Sequence, residues 1–289
     1  MRSESPHPYQ RFVAESARLV QEARTLPLGN LPALPRPTLE PNAARALIFA
    51  PHPDDECVSG ALALRLLREL RMRVIDVAVT QGSAPQRRGP RLEELVNACS
   101  FLGFELSTTG ATGLERISPA TRAQDRAHWQ AAVEVIADIL TRESPRAVFC
   151  PHQDDANSTH VGTHHLVMDA LGRQRPGFEC TVIETEYWAT MATPNLMIES
   201  TPDDVADLVA AITFHAGEVR RNPYHLRLPA WMQDNVRRGG ELVGGQGRPA
   251  PDFSFATIYR VRRWRGGRLE PAYNGGRIFS ATDDLAGLF

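Results

Sequence analysis

The chain contains no lysine, so all 32 of its basic side chains are arginine. There is therefore no lysine of the P-loop kind to hold a phosphate, and no Walker-type glycine loop accompanies it. Cysteine is nearly as scarce. Cys57, Cys99, Cys150 and Cys180 are widely spaced and form no Cys-x-x-Cys pair, which argues against both a disulfide framework and a thiolate zinc site and leaves them as buried thiols. Long apolar runs are missing too: none approaches the ~20 residues needed to span a bilayer. The opening MRSESPHPYQRF has no apolar signal-peptide core, so the expected setting is cytoplasmic. A net charge of −2 gives no general attraction for nucleic acid or an anionic membrane, and neither is expected as a partner.

What remains is an ordinary globular composition, 42% hydrophobic and 23% charged over 289 residues, long for one α/β domain and short for two. Residues 1–43 read as an N-terminal extension, with an amphipathic stretch at 11–24 and then a proline-rich segment that should lie extended on the surface. From residue 44 onward strand and helix signals alternate. Strands are expected at 46–50, 73–80, 146–150 and 180–188, with helices at 60–70, 91–102, 128–142 and 160–171. This alternation predicts an α/β domain of Rossmann-like form, a mostly parallel sheet with helices on both faces and its site at the C-terminal ends of the strands. Residues 190–289 read as a C-terminal elaboration that shapes the substrate pocket. There a helix is expected at 203–219, capped by Thr201, a glycine-rich loop at 237–251 and a strand at 253–263.

Two clusters begin just past predicted strands. Pro51-His52-Pro53-Asp54-Asp55-Glu56 puts one imidazole and three acids together, which would repel one another without a cation or a proton; the simpler alternative is a helix cap with a solvated histidine. The second runs from His152 through Asp154, Asp155 and Asn157 to His160, His164 and His165, and holds four of the nine histidines. Together they offer two imidazoles and a carboxylate, a donor set that suits zinc with a position open for water. Bound zinc lowers the pKa of its water toward ~7, and a neighbouring carboxylate can take the proton as hydroxide attacks a carbonyl.

Ala50-Pro51-His52-Pro53-Asp54-Asp55-Glu56 resembles the first signature of the PIG-L (LmbE-like) family of zinc-dependent N-deacetylases. Thr80-Gln81-Gly82, the Arg91–Glu94–Ala98–Leu102–Gly103 spacing and the His160–Thr163–His164–Asp169–Ala170 spacing are similar to later parts of that pattern. A fainter likeness lies at His215-Ala216-Gly217-Glu218. The resemblance implies removal of an N-acetyl group from an amino sugar or its conjugate, with zinc, or ferrous iron in the cell, as cofactor. It makes His52, Asp55 and His160 the metal ligands and Asp54 the general base. Glu56 and Asp155 become supports for the ligands, and Arg91 a substrate contact. The family's usual His-Pro-Asp-His reads Asn157-Ser158-Thr159-His160 here, so a histidine is missing. Asn157 can donate a hydrogen bond but carry no charge, and His152 or His215 is the expected substitute at the oxyanion.

Two other readings stay open: a phosphoesterase using Mg²⁺ or Mn²⁺ on the paired aspartates, and a sugar-binding protein that has lost turnover. Tyr187, Trp188, Tyr224, His225 and Trp231 either stack on sugar rings or pack on the sheet. A homo-oligomer is compatible with the sequence.

Overall fold

The computed structural model describes residues 7–289; the first six residues of the expected extension lie outside them. The extension begins with α1 (Pro8–Ala23), none of whose residues is buried. No regular element follows until β1 (Arg45–Ala50). Then come α2 (Asp55–Val58), α3 (Ala61–Arg68), β2 (Arg73–Ala78), α4 (Arg88–Leu102) and β3 (Glu105–Thr108). α5 (Pro119–Gln124), α6 (Arg126–Glu143), β4 (Ala147–Pro151), α7 (Ser158–Leu171) and β5 (Cys180–Thr185) complete the alternating part. The last third holds β6 (Leu196–Glu199), α8 (Pro202–Ile212), α9 (Ala216–Arg221), a 3₁₀ turn at Tyr224–Arg227, α10 (Leu228–Leu242), β7 (Ala256–Arg265), β8 (Arg268–Pro271) and β9 (Arg277–Phe279). Among the described residues no helix is long and apolar enough to cross a membrane.

The strands form one sheet in the order β3-β2-β1-β4-β5-β7-β6-β9, with β8 beside β7. The pairs from β3 through β5 are parallel, and β7 runs antiparallel to both its neighbours β5 and β6. β1 is continuously apolar because alternate residues face different cores. Ala46 and Ile48 pack with Leu62, Leu66, Leu95 and Leu208 on one side, while Leu47 and Phe49 meet Trp129, Ile136, Leu140 and Leu166 on the other. The helices following β1 thus cover one face and α7, following β4, covers the opposite one. Where neighbouring strands send their connections to opposite faces, a crevice opens beyond their C-terminal ends.

The expected mixed, mostly parallel architecture is the one observed, with differences in detail. The helix anticipated at 60–70 is α3, ending at Arg68, and a short helix not anticipated, α2, precedes it across Gly60. The helix at 203–219 stops at Ile212, where the Thr213 hydroxyl bonds the Ala210 carbonyl at 2.6 Å and competes with the helical ladder. Its capping box at Thr201 is present. The loop expected from 237 is helical as far as Leu242. A Cβ on Gly239 would run into the end of the Met197 side chain and stand 3.3 Å from Ile258 Cγ2, so a glycine that reads as a breaker marks close packing.

Gly60 has φ +88°, and an added Cβ would lie 2.5 Å from both Thr257 Oγ1 and Tyr259 Oη of β7. Strain of about 1–3 kcal/mol at a positive φ that only glycine adopts freely and overpacking of about 1–3 kcal/mol add here. Gly60→Ala should therefore destabilise the fold by roughly 2–6 kcal/mol, seen as a lower urea midpoint at unchanged m-value.

Candidate metal centre

Pro51 ends β1, and the chain turns at once into α2. The turn is tight: Asp54 has φ 115° and ψ −25°, a conformation that side chains with a Cβ avoid. Glu56 holds it there. Its Oε2 accepts the Asp54 amide at 2.8 Å, and its Oε1 accepts from His215 Nε2 at 2.6 Å. Burial opposes charge on Glu56, but the His215 imidazole overrides it and holds the carboxyl below its usual range. His215 reaches this position because the chain breaks between α8 and α9.

On the neighbouring strand, β4 runs out into the second cluster. Asn157 caps α7, its Oδ1 accepting the Thr159 amide at 2.8 Å, so His160 falls in the first turn of α7 and is fully buried. Across the β1/β4 boundary three donor atoms then converge. Asp55 Oδ2 lies 3.3 Å from His52 Nδ1 and 3.2 Å from His160 Nε2, and the two ring nitrogens are 3.3 Å apart. Tetrahedral zinc with bonds of ~2.0–2.1 Å has ligand–ligand edges of about 3.3–3.4 Å, so the triangle has the dimensions of one face of that tetrahedron. Lone pairs aimed at a single point need a cation or shared protons between them. Burial alone would raise the Asp55 carboxyl, yet His160 and His52 hold it far below its usual range. Burial would lower His160, yet Asp55 raises it. The donor set fits a divalent cation.

Behind His160, Asp155 Oδ1 stands 3.6 Å from Nδ1, a ring nitrogen with no closer partner. Asp155 is itself pinned by the amides of Asn157 at 2.8 Å and Trp188 at 3.0 Å. A carboxylate so placed orients a ligating imidazole.

Asp54 points away from the triangle. The Tyr224 hydroxyl donates to its Oδ2 at 2.8 Å, and Arg91 Nη2 lies 3.7 Å away. Burial, then the adjacent Asp55 charge, pushes its carboxyl up to about 7 against the pull of His215 and Arg91. The two aspartates diverge through the left-handed turn at Asp54.

Two of the expected substitutes do not reach a substrate position. His152 Nε2 bonds the Ala189 carbonyl at 2.9 Å and His215 Nε2 is taken by Glu56; both rings are fully buried and neither lines a cavity beside the triangle. Arg91 also lines neither cavity. Its Nη2 donates to the Pro53 carbonyl at 2.8 Å and its Nη1 lies 3.8 Å from Glu218, so it braces the turn that carries Asp54.

The triangle sits between two openings. One is a polar cleft of about 600 Å³ bordered by His52, Thr80, Ser83, Arg88, Arg116 and Asn157. The other is a pocket of about 130 Å³ between Asp54, Asp55, Tyr187, Trp188, Tyr224 and Trp231. Tyr187, whose ring meets His160 edge-on at 4.9 Å, and Tyr224 were assigned no part at the metal from sequence. For Tyr187 there was a signal, because it follows a strand adjacent to β4 and therefore opens on the same crevice.

Residues 47–171 match the family described as PIG-L: GlcNAc-PI de-N-acetylase. No curated protein matches the chain. Several solved structures share its fold. The N,N'-diacetylchitobiose deacetylase from Pyrococcus horikoshii, complexed with its inhibitor MPG, is 16% identical with a TM-score of 0.56, over 92% of this chain and 95% of that one. A deacetylase of the teicoplanin biosynthesis pathway is 15% identical with a TM-score of 0.57, over 77% and 98%. GalB, the 4-carboxy-2-hydroxymuconate hydratase from Pseudomonas putida KT2440, is 18% identical with a TM-score of 0.54, over 75% and 95%. A deacetylase and a hydratase on one fold show that likeness of this degree speaks to architecture and not to the reaction.

The geometry predicts one tightly bound divalent ion per chain. Elemental analysis after dialysis should find it in the wild-type protein and in Asp54→Asn, and should find it lost from His52→Ala and His160→Ala. Retention of a full equivalent in both histidine variants would place the ion elsewhere.

Proposed function

We propose, from the match of residues 47–171 to the PIG-L family, that the protein is a metal-dependent N-deacetylase acting on an N-acetylated amino sugar or a conjugate of one. The observation that carries the reading is the placing of Asp54, half-buried and hydrogen-bonded, one residue from a triangle of His52, Asp55 and His160 with the dimensions of a zinc site. Two imidazoles and a carboxylate favour zinc, with ferrous iron as the cellular alternative. When bound, the ion supplies Lewis acidity, activating a water molecule and polarising the amide carbonyl.

The chain's own residues do the rest. Asp54, ionised, takes the proton from the attacking water and returns it to the amide nitrogen as the C–N bond breaks. Tyr224 fixes the carboxylate that makes these transfers, and the Glu56–His215 pair fixes the backbone beneath it. Asp155 holds His160 in its ligating orientation. Asn157, its Oδ1 committed to capping α7, leaves its amide nitrogen beside the polar cleft, where a sugar hydroxyl or carbonyl oxygen finds a neutral donor.

Acetate release from N-acetylglucosamine and its conjugates by the zinc-loaded protein tests the reading; phosphate release from phosphoesters, or sugar binding without turnover, would replace it. Asp54→Asn should lower kcat by about 10²–10⁴-fold with the metal retained. A general base works only when ionised, so kcat/KM should rise with pH through the Asp54 titration. Burial and Asp55 set that titration at about 7, and a cation beside it favours the charged form, so the acid limb should lie at or below this pH. Asp54→Asn should remove the limb.

A further inference from the structure

We propose that the pocket walled by Tyr187, Trp188, Tyr224, Leu228 and Trp231 is an acyl-tail site, and that the protein removes N-acyl groups larger than acetyl, up to about six carbons or one benzene ring. The inference rests on the amide-hydrolase reading above and concerns which amide is cut. Water's oxygen bonds to the carbonyl carbon, the C–N bond breaks, and a carboxylate and an amine leave.

Size is the first argument. The pocket holds about 130 Å³, and an apolar cavity of about 150 Å³ takes up benzene. An acetyl methyl would leave most of it empty.

Chemistry is the second. Two indoles, two phenol rings, Val58 and Leu228 make the walls, and Arg227 stands exposed at the rim. The Tyr224 hydroxyl is already spent on Asp54. A sugar ring placed here would find carboxylate partners only at Asp54 and Asp55 and would leave the hydroxyls facing the aromatic walls unpaired, a cost that an alkyl or aryl group does not meet. Thr80, Ser83, Arg88, Asn157 and Thr159 offer such partners in the polar cleft.

Connectivity is the third. The floor of the pocket is Asp54 and Asp55, the latter itself a corner of the donor triangle. A group resting on that floor is joined to the carbonyl carbon through one or two bonds. The α-carbon of an acyl chain meets this condition, whereas an aglycone lies several bonds further along the sugar. Trp188, 56% exposed and edge-on to Tyr224 at 6.2 Å, forms the outer wall through which a longer chain would emerge.

The test uses the full, zinc-loaded chain with N-acetyl, N-butanoyl, N-hexanoyl, N-benzoyl and N-dodecanoyl glucosamine. The value of kcat/KM should rise about three- to fourfold per methylene as far as hexanoyl, the gain for taking one CH₂ out of water. Benzoyl should match hexanoyl and dodecanoyl should fall. Trp231→Ala should move the optimum to longer chains, and Trp188→Ala, at an exposed position, should flatten the series if the first variant does not fold. The assignment is overturned if acetyl ranks highest, if the variants lower every substrate by one common factor, or if an aryl aglycone on an N-acetyl substrate gives the gain that the acyl chain does not. Benzamide binding, followed by tryptophan fluorescence, separates the two levels of the reading. A saturable response without acyl release from any substrate keeps the pocket and removes the hydrolase; acetate release without a benzamide response keeps the hydrolase and removes the pocket.

Discussion

The site depends on one strained residue. Adjacent aspartates in an extended chain would diverge, but neither would then stand in the first turn of a helix facing a histidine from the next strand. The positive φ of Asp54 lets Asp55 begin α2 and turn its carboxylate into the triangle, while the Asp54 carboxylate faces the pocket. Such strain costs of order 1–3 kcal/mol and persists only where the surroundings hold it. Here the surroundings are the Glu56 carboxylate on the Asp54 amide, the buried His215 imidazole on Glu56, and the Arg91 guanidinium on the Pro53 carbonyl. Glu56 and Arg91 thus bond the backbone of Asp54 and Pro53, and His215 bonds Glu56 behind them.

The fold supplies the other half of the triangle without strain. β1 and β4 lie side by side and send their connections to opposite faces, so the loops after them diverge and leave the crevice open. The capped N-terminus of α7 then points His160 into it. Asp76, a further acid on β2, is fully buried. Among the described residues neither of its oxygens has a hydrogen-bond partner, and burial, with Glu56 and Asp55 nearby, pushes its carboxyl well above the usual range.

The donors of the triangle were legible in sequence because both clusters start where a short apolar run ends, and a parallel sheet collects such points on one edge. The roles of the remaining polar residues were not, because direction is a three-dimensional property. Nothing in the spacing of His152 or His215 tells whether a ring faces a cavity or a carbonyl behind it. Arg91 was matched to a position, and its side chain could equally have reached outward. In the last third of the chain Gly239 hid a helix, since glycine placed for close packing on Met197 and glycine placed for a turn look alike in one sequence. Tyr187 and Tyr224 depended on how the C-terminal strands fold back, which in turn depends on the antiparallel pairing of β7 with β5, a contact between distant segments with no local signal.

That pairing gives the missing lysine a structural sense. The C-terminal elaboration is fastened to the parallel sheet by buried or half-buried guanidinium–carboxylate pairs. Arg260 of β7 grips the fully buried Glu184 of β5 with two bonds, at 2.7 and 2.8 Å, and Arg262 adds a third at 3.0 Å. Arg238 of α10 takes Glu186 in the same forked way, at 3.1 and 2.6 Å. A planar fork satisfies both oxygens of a carboxylate from which water is excluded, whereas an ammonium meets it as a point charge and sheds more hydration to do so. Glu186 immediately precedes Tyr187 and Trp188, with Glu184 two residues before it, so the arginines that fix the end of β5 also fix one wall of the aromatic pocket, while α10 brings Trp231 to the other. Loss of either glutamate would strand a partly buried guanidinium, and the mismatch would fall on the spacing of the pocket before it reached the donor triangle, which is built from the turn after β1, the start of α2 and the first turn of α7.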